Sequence, residues 1–218
     1  HEFVYQDYRV TPHCPRCGTS LSDHEVSLGY QDDTPDPSVF VKFRVHQDQW
    51  TKKGHPQIAK RPGEYISLVA WTTTPWTLPG NTALAVNPGA DYGVYELANG
   101  EQVVVAVELA EAVLGLAAKA RVALKGSRLL GLEYEPLYRP EDLGHQVMRF
   151  AADGHLRTLE PGESTGGLRR VIAADYVSLE DGSGIVHTAP AFGAEDFQAG
   201  KDYGLLFVQP IDLRGLMA

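Results

Sequence analysis

Basic residues are scarce: 19 lysines and arginines stand against 28 aspartates and glutamates, a formal charge of −9 over 218 residues. Coating a phosphate backbone needs a basic face whose cations displace counterions, so extensive nucleic-acid binding is excluded and a nucleic-acid partner would be held by its end only. The local pairs Lys52-Lys53, Lys60-Arg61 and Arg169-Arg170 read first as solvated surface charge. Long apolar runs are also missing. None approaches the roughly 20 residues of a membrane helix, and no basic-then-apolar leader opens the chain, so a cytoplasmic protein without a membrane partner is expected. An initiator methionine is absent too; His1 and the Leu216-Met217-Ala218 end read as cuts in something longer.

Cysteine occurs only in Cys14-Pro-Arg-Cys17-Gly18. This knuckle aims two sulfurs at one point and suits half of a tetrahedral zinc site. His13 and His24 are nearby substitutes for the missing half, but a second pair outside the chain is the simpler completion. A redox pair is the weaker alternative, because no βαβ pattern surrounds it. A serine nucleophile is lacking as well, since Gly182-Ser183-Gly184 has none of the flanks of a nucleophile elbow.

What is present is a succession of short strands. Residues 1–37 hold the knuckle and a proline- and acid-rich connector, and the body runs from 38 to 218. Period-two alternation predicts a strand at 39–45, a polar loop follows at 46–63, and further strands are expected at 65–71 and 82–86. Asn99-Gly100 marks a hairpin between 92–96 and 102–107. Apolar spacings of three and four predict a helix over 109–120. Two short strands are expected in 122–137, then a peripheral insertion at 138–168 whose 146–150 and 155–159 segments pair as a hairpin. Strands at 171–179, 184–187 and 206–211 and a helix at 194–203 complete the pass. Many strands without regular strand–helix alternation give a mainly β fold, a closed or strongly curved β-barrel core with peripheral α-helices.

Two segments carry chemistry. In Trp71-Thr-Thr-Thr-Pro-Trp-Thr-Leu-Pro-Gly-Asn81, strand alternation puts Thr72 and Thr74 on one face and Thr73 on the other until Pro75 ends the ladder. Such hydroxyls hold a small polar ligand or a water without adding charge, although threonine also simply favours strands. Trp71 and Trp76 suit a pocket wall, a nucleobase stack or a core, and Asn81 suits a ligand contact or a turn cap. In Gly182-Ser-Gly-Ile-Val-His-Thr-Ala-Pro-Ala-Phe-Gly-Ala-Glu-Asp196, a strand, a small-residue loop and a helix start converge. Asp196 there can pair with an ammonium or merely complement the helix dipole, and His187 can be a base, a polar wall or a satisfied core histidine.

Together the two segments resemble the signature of the editing domain (connective peptide 1) of class I aminoacyl-tRNA synthetases, and Thr-Thr-Thr-Pro-Trp-Thr-Leu-Pro is most similar to the isoleucyl type. The valyl and leucyl types usually carry Thr-Thr-Arg-Pro with an acidic residue next, so Thr74 and Trp76 point away from them. The knuckle and the Ser-Asp-His-Glu-Val-Ser-Leu-Gly-Tyr stretch after it resemble the entry to the same insertion, whereas 138–168 is longer than in the shorter bacterial forms. The resemblance implies an all-β barrel that hydrolyses valine from mischarged tRNA(Ile), and valyl-adenylate with it. Carried over, Asp196 anchors the substrate ammonium, while His187 and Trp76 line a valine-sized pocket beside Ala189 and Pro190. Thr72, Thr73, Thr74 and Thr77 hold the terminal nucleotide and the water, with Asn81 in support. No cofactor is implied for editing; the implied partners are the 3′ end of aminoacylated tRNA(Ile), valine and the rest of a synthetase, around a monomeric domain. A non-catalytic module that binds the tRNA 3′ end and a valyl-type domain acting on threonine are the competing readings.

Overall fold

A computed structural model describes residues 8–29, 35, 37–56, 65–115, 119–140, 145–160, 162–163, 165 and 168–217. Most of the expected connector, part of the 46–63 loop, the 116–118 stretch of the expected helix and parts of 138–168 lie outside the described residues.

The chain runs β1 (His13–Cys14), β2 (Thr19–Ser20), α1 (Asp23–Gly29), β3 (Val39–His46), α2 (Gln47–Lys52), β4 (Tyr65–Thr72), β5 (Ala83–Val86), β6 (Asp91–Glu96), β7 (Gln102–Ala106), α3 (Ala110–Leu114), β8 (Val122–Lys125), β9 (Val147–Phe150), β10 (Leu156–Thr158), β11 (Arg170–Ala173), β12 (Ile185–Thr188), α4 (Ala194–Tyr203) and β13 (Leu206–Val208). It is mainly β, as expected. One curled sheet has the order β11-β5-β12-β4-β7-β6-β8, with β3 antiparallel to β4 along its whole length.

Backbone bonds outside the strands close this sheet. Glu135 N–H donates to Arg44 O of β3 (2.7 Å), while Gly131 N–H donates to Val171 O (2.8 Å) and Val171 N–H to Leu132 O (2.9 Å) in β11. Residues 131–135 therefore bridge β3 to β11 and complete a ring through β5, β12 and β4. Alternate residues of these strands fill the interior: Phe43 and Val45, Ile66 and Leu68, Leu84 and Val86, Val171 and Ile185 are buried in one cluster. Each such side chain contributes about 1.5–3 kcal/mol by leaving water. Ala83, Ala85 and Ile172 face the other way, against Ala199 of α4 and Leu205.

Four local expectations need correction. The 46–63 loop contains α2, which has only Gln47 and Trp50 buried, too few for a visible apolar period. The helix over 109–120 stops after five residues, because Gly115 takes a left-handed conformation (φ 66°) and its N–H caps Glu111 O. The strand at 171–179 ends at Ala173: its partner β5 ends at Val86, whose carbonyl the Ala174 N–H takes. In 122–137 only β8 is a strand; the second segment is the closing bridge, with Glu133 opposite Arg170.

The hairpin expected inside 138–168 is present as β9–β10, and β13 pairs with β9 on its other side. Met148 and Phe150 of β9 pack with Phe197 and Phe207, joining the hairpin to α4 and β13. The Glu163 carboxylate accepts from Arg157 and Arg149, and the Arg157 bond leads in holding its pKa down to about 2.

Candidate active site

Register brings the two chemical segments together. β4 and β12 are parallel and meet at one pair, Trp71 with Val186, so both deliver their C-terminal ends to the same edge. Because side chains alternate, the next residues, Thr72 and His187, share the face opposite Trp71 and Val186. Pro75 then removes a ladder donor, and the chain turns through a 3-10 helix over Pro75–Gly80. On the other side, the 180–184 turn enters β12 through Gly182 and Gly184, both at positive φ (72° and 73°). A Cβ on Gly184 would come within 2.4 Å of the Ala106 Cβ, so only glycine fits this approach. Tyr92 OH donates to Gly184 O (2.6 Å) and fixes the start of β12.

A cavity of about 500 Å³ opens at this junction. Thr72, Thr73, Thr74, Trp76, Thr77, His187 and Asp196 all line it, so seven of the expected site residues converge. Asn81, Ala189 and Pro190 do not line it. Asn81 is buried, donating to Ala83 O (2.9 Å) and accepting from Tyr134 OH (2.7 Å), and so ties β5 to the closing bridge. Ala189 serves through its backbone, whose N–H donates to the Asp196 carboxylate (3.1 Å).

The hydroxyls form a chain. Thr77 Oγ1 donates to Thr74 O (2.8 Å) and lies 2.9 Å from His187 Nε2. With the single Thr77 proton on Thr74 O, Nε2 donates to Thr77 and Nδ1 is a bare acceptor; with that proton on Nε2, Nδ1 carries the ring proton. Nδ1 is buried without a partner among the described residues, and burial pushes the His187 pKa down to about 4, so the ring is neutral at pH 7. Thr74 Oγ1 lies 3.4 Å from Thr77 Oγ1 and 3.3 Å from Thr72 Oγ1, and Thr72 Oγ1 also accepts from Thr74 N–H (3.1 Å). Thr73 is exposed at the rim.

Asp196 supplies the anionic side. It sits in the first turn of α4 after Gly193, the helix N-cap, which offers no side chain. Burial raises its pKa to about 6, opposed by the Ala189 N–H and reinforced by Glu195, so the carboxylate is mostly ionised at neutral pH. It is folded over Gly193: a Cβ there would lie 3.0 Å from Asp196 Oδ2 and 3.2 Å from its Cγ. Tyr176 and Phe192 also line the cavity and were missed from sequence, one hidden inside an apparent strand and the other inside a small-residue loop. Burial, and then the Asp196 charge, push the Tyr176 phenol up to about 12, which keeps it a neutral hydroxyl.

Chemically, the cavity offers neutral hydroxyls on one wall and carboxylates on the other, with Asp196 the half-buried one bonded to the backbone and Asp181 and Glu195 beside it. Ser183 is no nucleophile: it is buried, its hydroxyl bonded to Ile185 O (3.2 Å).

The knuckle between β1 and β2 keeps its sulfurs close. Cys17 N–H points at Cys14 Sγ (3.4 Å), Gly18 N–H caps Cys14 O (2.8 Å), and the Cys17 N–H leads in lowering the Cys14 thiol pKa. Two donors make half a tetrahedral set. Among the described residues no cluster of three or more metal-ligating side chains occurs, and His13 bonds Leu213 O (2.8 Å), so neither His13 nor His24 completes the set. Among the described residues no helix is long and apolar enough to cross a membrane.

No family model matches the chain. It is 46% identical over 213 residues to an isoleucine–tRNA ligase of Dehalococcoides mccartyi, covering 97% of this chain and 20% of that protein. It is 40% identical over 212 residues to the isoleucine–tRNA ligase of Thermus thermophilus, covering 97% of this chain and 17% of that protein. The chain thus spans about a fifth of the length of these curated relatives. A solved structure of the Plasmodium knowlesi (P.knowlesi) cytosolic leucyl-tRNA synthetase editing domain superposes with a TM-score of 0.55 at 14% identity, covering 84% of this chain and 72% of that one.

Proposed function

We propose, from the premise that this chain belongs over the segment it spans to the isoleucine–tRNA ligase family, that its cavity hydrolyses the ester joining valine to the terminal adenosine of tRNA(Ile), and valyl-adenylate as well. The observation that carries this reading is the pairing of a neutral hydroxyl chain, Thr72–Thr74–Thr77, with the half-buried Asp196 carboxylate in a single cavity. Asp196 anchors the α-ammonium. His187, held by Thr77, and Trp76 bound the space open to the amino-acid side chain, admitting valine and excluding isoleucine. The threonine hydroxyls position the terminal ribose and the attacking water.

An aminoacyl ester is already activated, so positioning water and stabilising the developing oxyanion suffice. A second, smaller sieve is needed because one methylene discriminates by only about 1–3 kcal/mol, a magnitude for which this enzyme class is itself the standard example. In this reading residues 1–37 form a knuckle and connector, 38–218 the hydrolytic domain with 138–168 at its periphery, and the domain works as a monomer in the cytoplasm within a larger synthetase. Cys14 and Cys17 fit half of a zinc site completed by residues outside this chain; the metal would fix the knuckle and takes no part in hydrolysis.

The test is to incubate the chain with valyl-tRNA(Ile) and follow free valine, with the 3′-valyl ester of adenosine as a small substrate. Release that is lost in Asp196→Ala, together with hydrolysis of isoleucyl esters by His187→Ala, is expected. Absence of release from both substrates sinks the catalytic reading and leaves an end-binding module. Faster hydrolysis of threonyl than valyl esters replaces it with a valyl-type activity.

A further inference from the structure

Behind the cavity wall, the inner face of the barrel holds a polar group that the hydrolytic reading does not use. Thr82 directly precedes β5, and its N–H donates to Thr188 O (2.9 Å), which extends the β5–β12 ladder by one residue. Along that ladder Ile185 faces Val86 and His187 faces Leu84, and Ile185, Val86 and Leu84 all lie in the barrel core. Alternation therefore turns Thr82 inward as well, diagonally across from His187. Its neighbours on this face of β5 are the apolar Leu84 and Val86, so packing alone gives no reason for a hydroxyl here. Thr82 has no exposed surface (0%). Neither its Oγ1 nor His187 Nδ1 has a hydrogen-bond partner among the described residues.

A buried hydroxyl and a buried imidazole nitrogen are each costly without a partner, and polar interior sites of this kind are where folded proteins enclose water. Diagonal neighbours on adjacent strands stand about 7–8 Å apart, too far for a threonine hydroxyl to reach the ring directly and near enough for one bridging molecule. We infer that Thr82 is a positioning residue for His187, its hydroxyl holding Nδ1 through one enclosed water. A water both donates and accepts, so it serves Nδ1 in either placement of the ring proton. Thr77 then fixes Nε2 from the cavity side and Thr82 fixes Nδ1 from the barrel side, which holds the imidazole plane at both ends. The consequence for specificity rests on the proposed editing reading: a ring held at two points is a stiff wall, and a stiff wall is what separates side chains one methylene apart.

Thr82→Val in the intact chain keeps the side-chain volume and the backbone bond to Thr188, and removes only the hydroxyl. A hydroxyl that served nothing would be a stranded polar group, and its removal would raise the melting temperature; one that serves His187 leaves Nδ1 stranded when removed, and the melting temperature falls. The expected results are that fall, a displaced Nδ1 resonance in nitrogen NMR of the His187 ring with Nε2 nearly unmoved, and about a tenfold gain in hydrolysis of the isoleucyl relative to the valyl ester of adenosine. Thr82→Ser should keep the parent's Nδ1 resonance and its discrimination. In a His187→Phe background Thr82→Val should no longer destabilise, because no ring nitrogen is left to strand. An unmoved Nδ1 resonance, or a melting temperature at or above the parent's, overturns the inference and leaves Thr82 a packing residue. Absence of ester hydrolysis by the parent chain instead tells against the editing reading, while the Nδ1 resonance still decides the role of Thr82.

Discussion

Thr77 Oγ1 and His187 Nε2 are 2.9 Å apart although 110 positions separate them, and this bond joins the two halves of the site. Replacing Thr77 by valine keeps the shape and removes the partner. With Nδ1 already unpartnered among the described residues, both ring nitrogens would then be buried without a protein hydrogen bond, at a cost of about 1–3 kcal/mol. Thr77→Val should therefore lower the melting temperature by several degrees and loosen the exclusion of isoleucyl esters, whereas Thr77→Ser retains both properties. Equal melting temperatures for the valine and serine variants would show that the bond contributes nothing.

Gly193 is extended (φ −128°), so its backbone suits any residue; what it lacks is a Cβ where the Asp196 carboxylate lies. Gly193→Ala should displace that carboxylate by a few tenths of an ångström, stretch its 3.1 Å bond from Ala189, and weaken binding of a valyl-adenosine analogue by about tenfold with little loss of stability. Titration calorimetry beside thermal denaturation separates the two effects. Unchanged affinity removes Gly193 from the positioning of Asp196.

Ligand binding should follow the Asp196 charge. Since the pKa of the free carboxylate is about 6, affinity for an α-ammonium should fall about tenfold per pH unit below 6. It should fall again above about 8, as the ligand's own amine deprotonates. Stability has a different signature. His187 has its folded pKa below the unfolded value, so its contribution is present above pH 6.5 and lost as pH falls toward 4. Asp196 has its folded pKa raised, so its contribution is present below pH 3.8 and lost as pH rises through 6. Each displacement corresponds to about 3 kcal/mol, and over this window they offset one another. Asp196→Asn should expose the histidine's loss, giving a chain that weakens more than the parent between pH 7 and 4 in urea unfolding; parallel curves would count against these protonation states.

Tyr134 is fully enclosed, its phenol pushed up far beyond the usual range by burial, and its hydroxyl donates to Asn81. Tyr134→Phe leaves the Asn81 Oδ1 without this donor and should cost about 1–3 kcal/mol of stability, read by chemical denaturation. The catalytic wall is built elsewhere, so hydrolysis per folded molecule should persist. A selective loss of hydrolysis without loss of stability would place Asn81 on the substrate after all.

Much of the site was legible because both of its segments are continuous in sequence: Thr72, Thr74 and Thr77 lie within six residues, and His187 and Asp196 flank one loop. Seven expected residues line one cavity. Tyr176 was hidden because Val-Ile-Ala-Ala-Asp-Tyr-Val reads as one strand, and only the end of β5 at Val86 shows why the strand must stop first. Asn81 looked like a ligand contact because a polar residue after Pro-Gly is equally suited to ligand and backbone; its partner Tyr134 lies 53 positions away, beyond any local pattern. The mainly β class followed from alternation and turn residues. The closed or strongly curved barrel followed with it, but the segment that makes the closing bonds did not, because residues 131–135 form isolated backbone bonds with no strand signature of their own.

The single pairing of Trp71 with Val186 sets a rule for tolerated change in chain length. Adding or removing one residue between the 180–184 turn and His187 would rotate that ring to the opposite face of the sheet, since side-chain direction inverts with each step. A substitution elsewhere weakens the site by degrees, but a single-codon insertion here would take the histidine out of it altogether. Lineages carrying this domain should therefore accumulate length variation at hairpins such as Asn99-Gly100 while keeping the distance from Gly184 to His187 fixed.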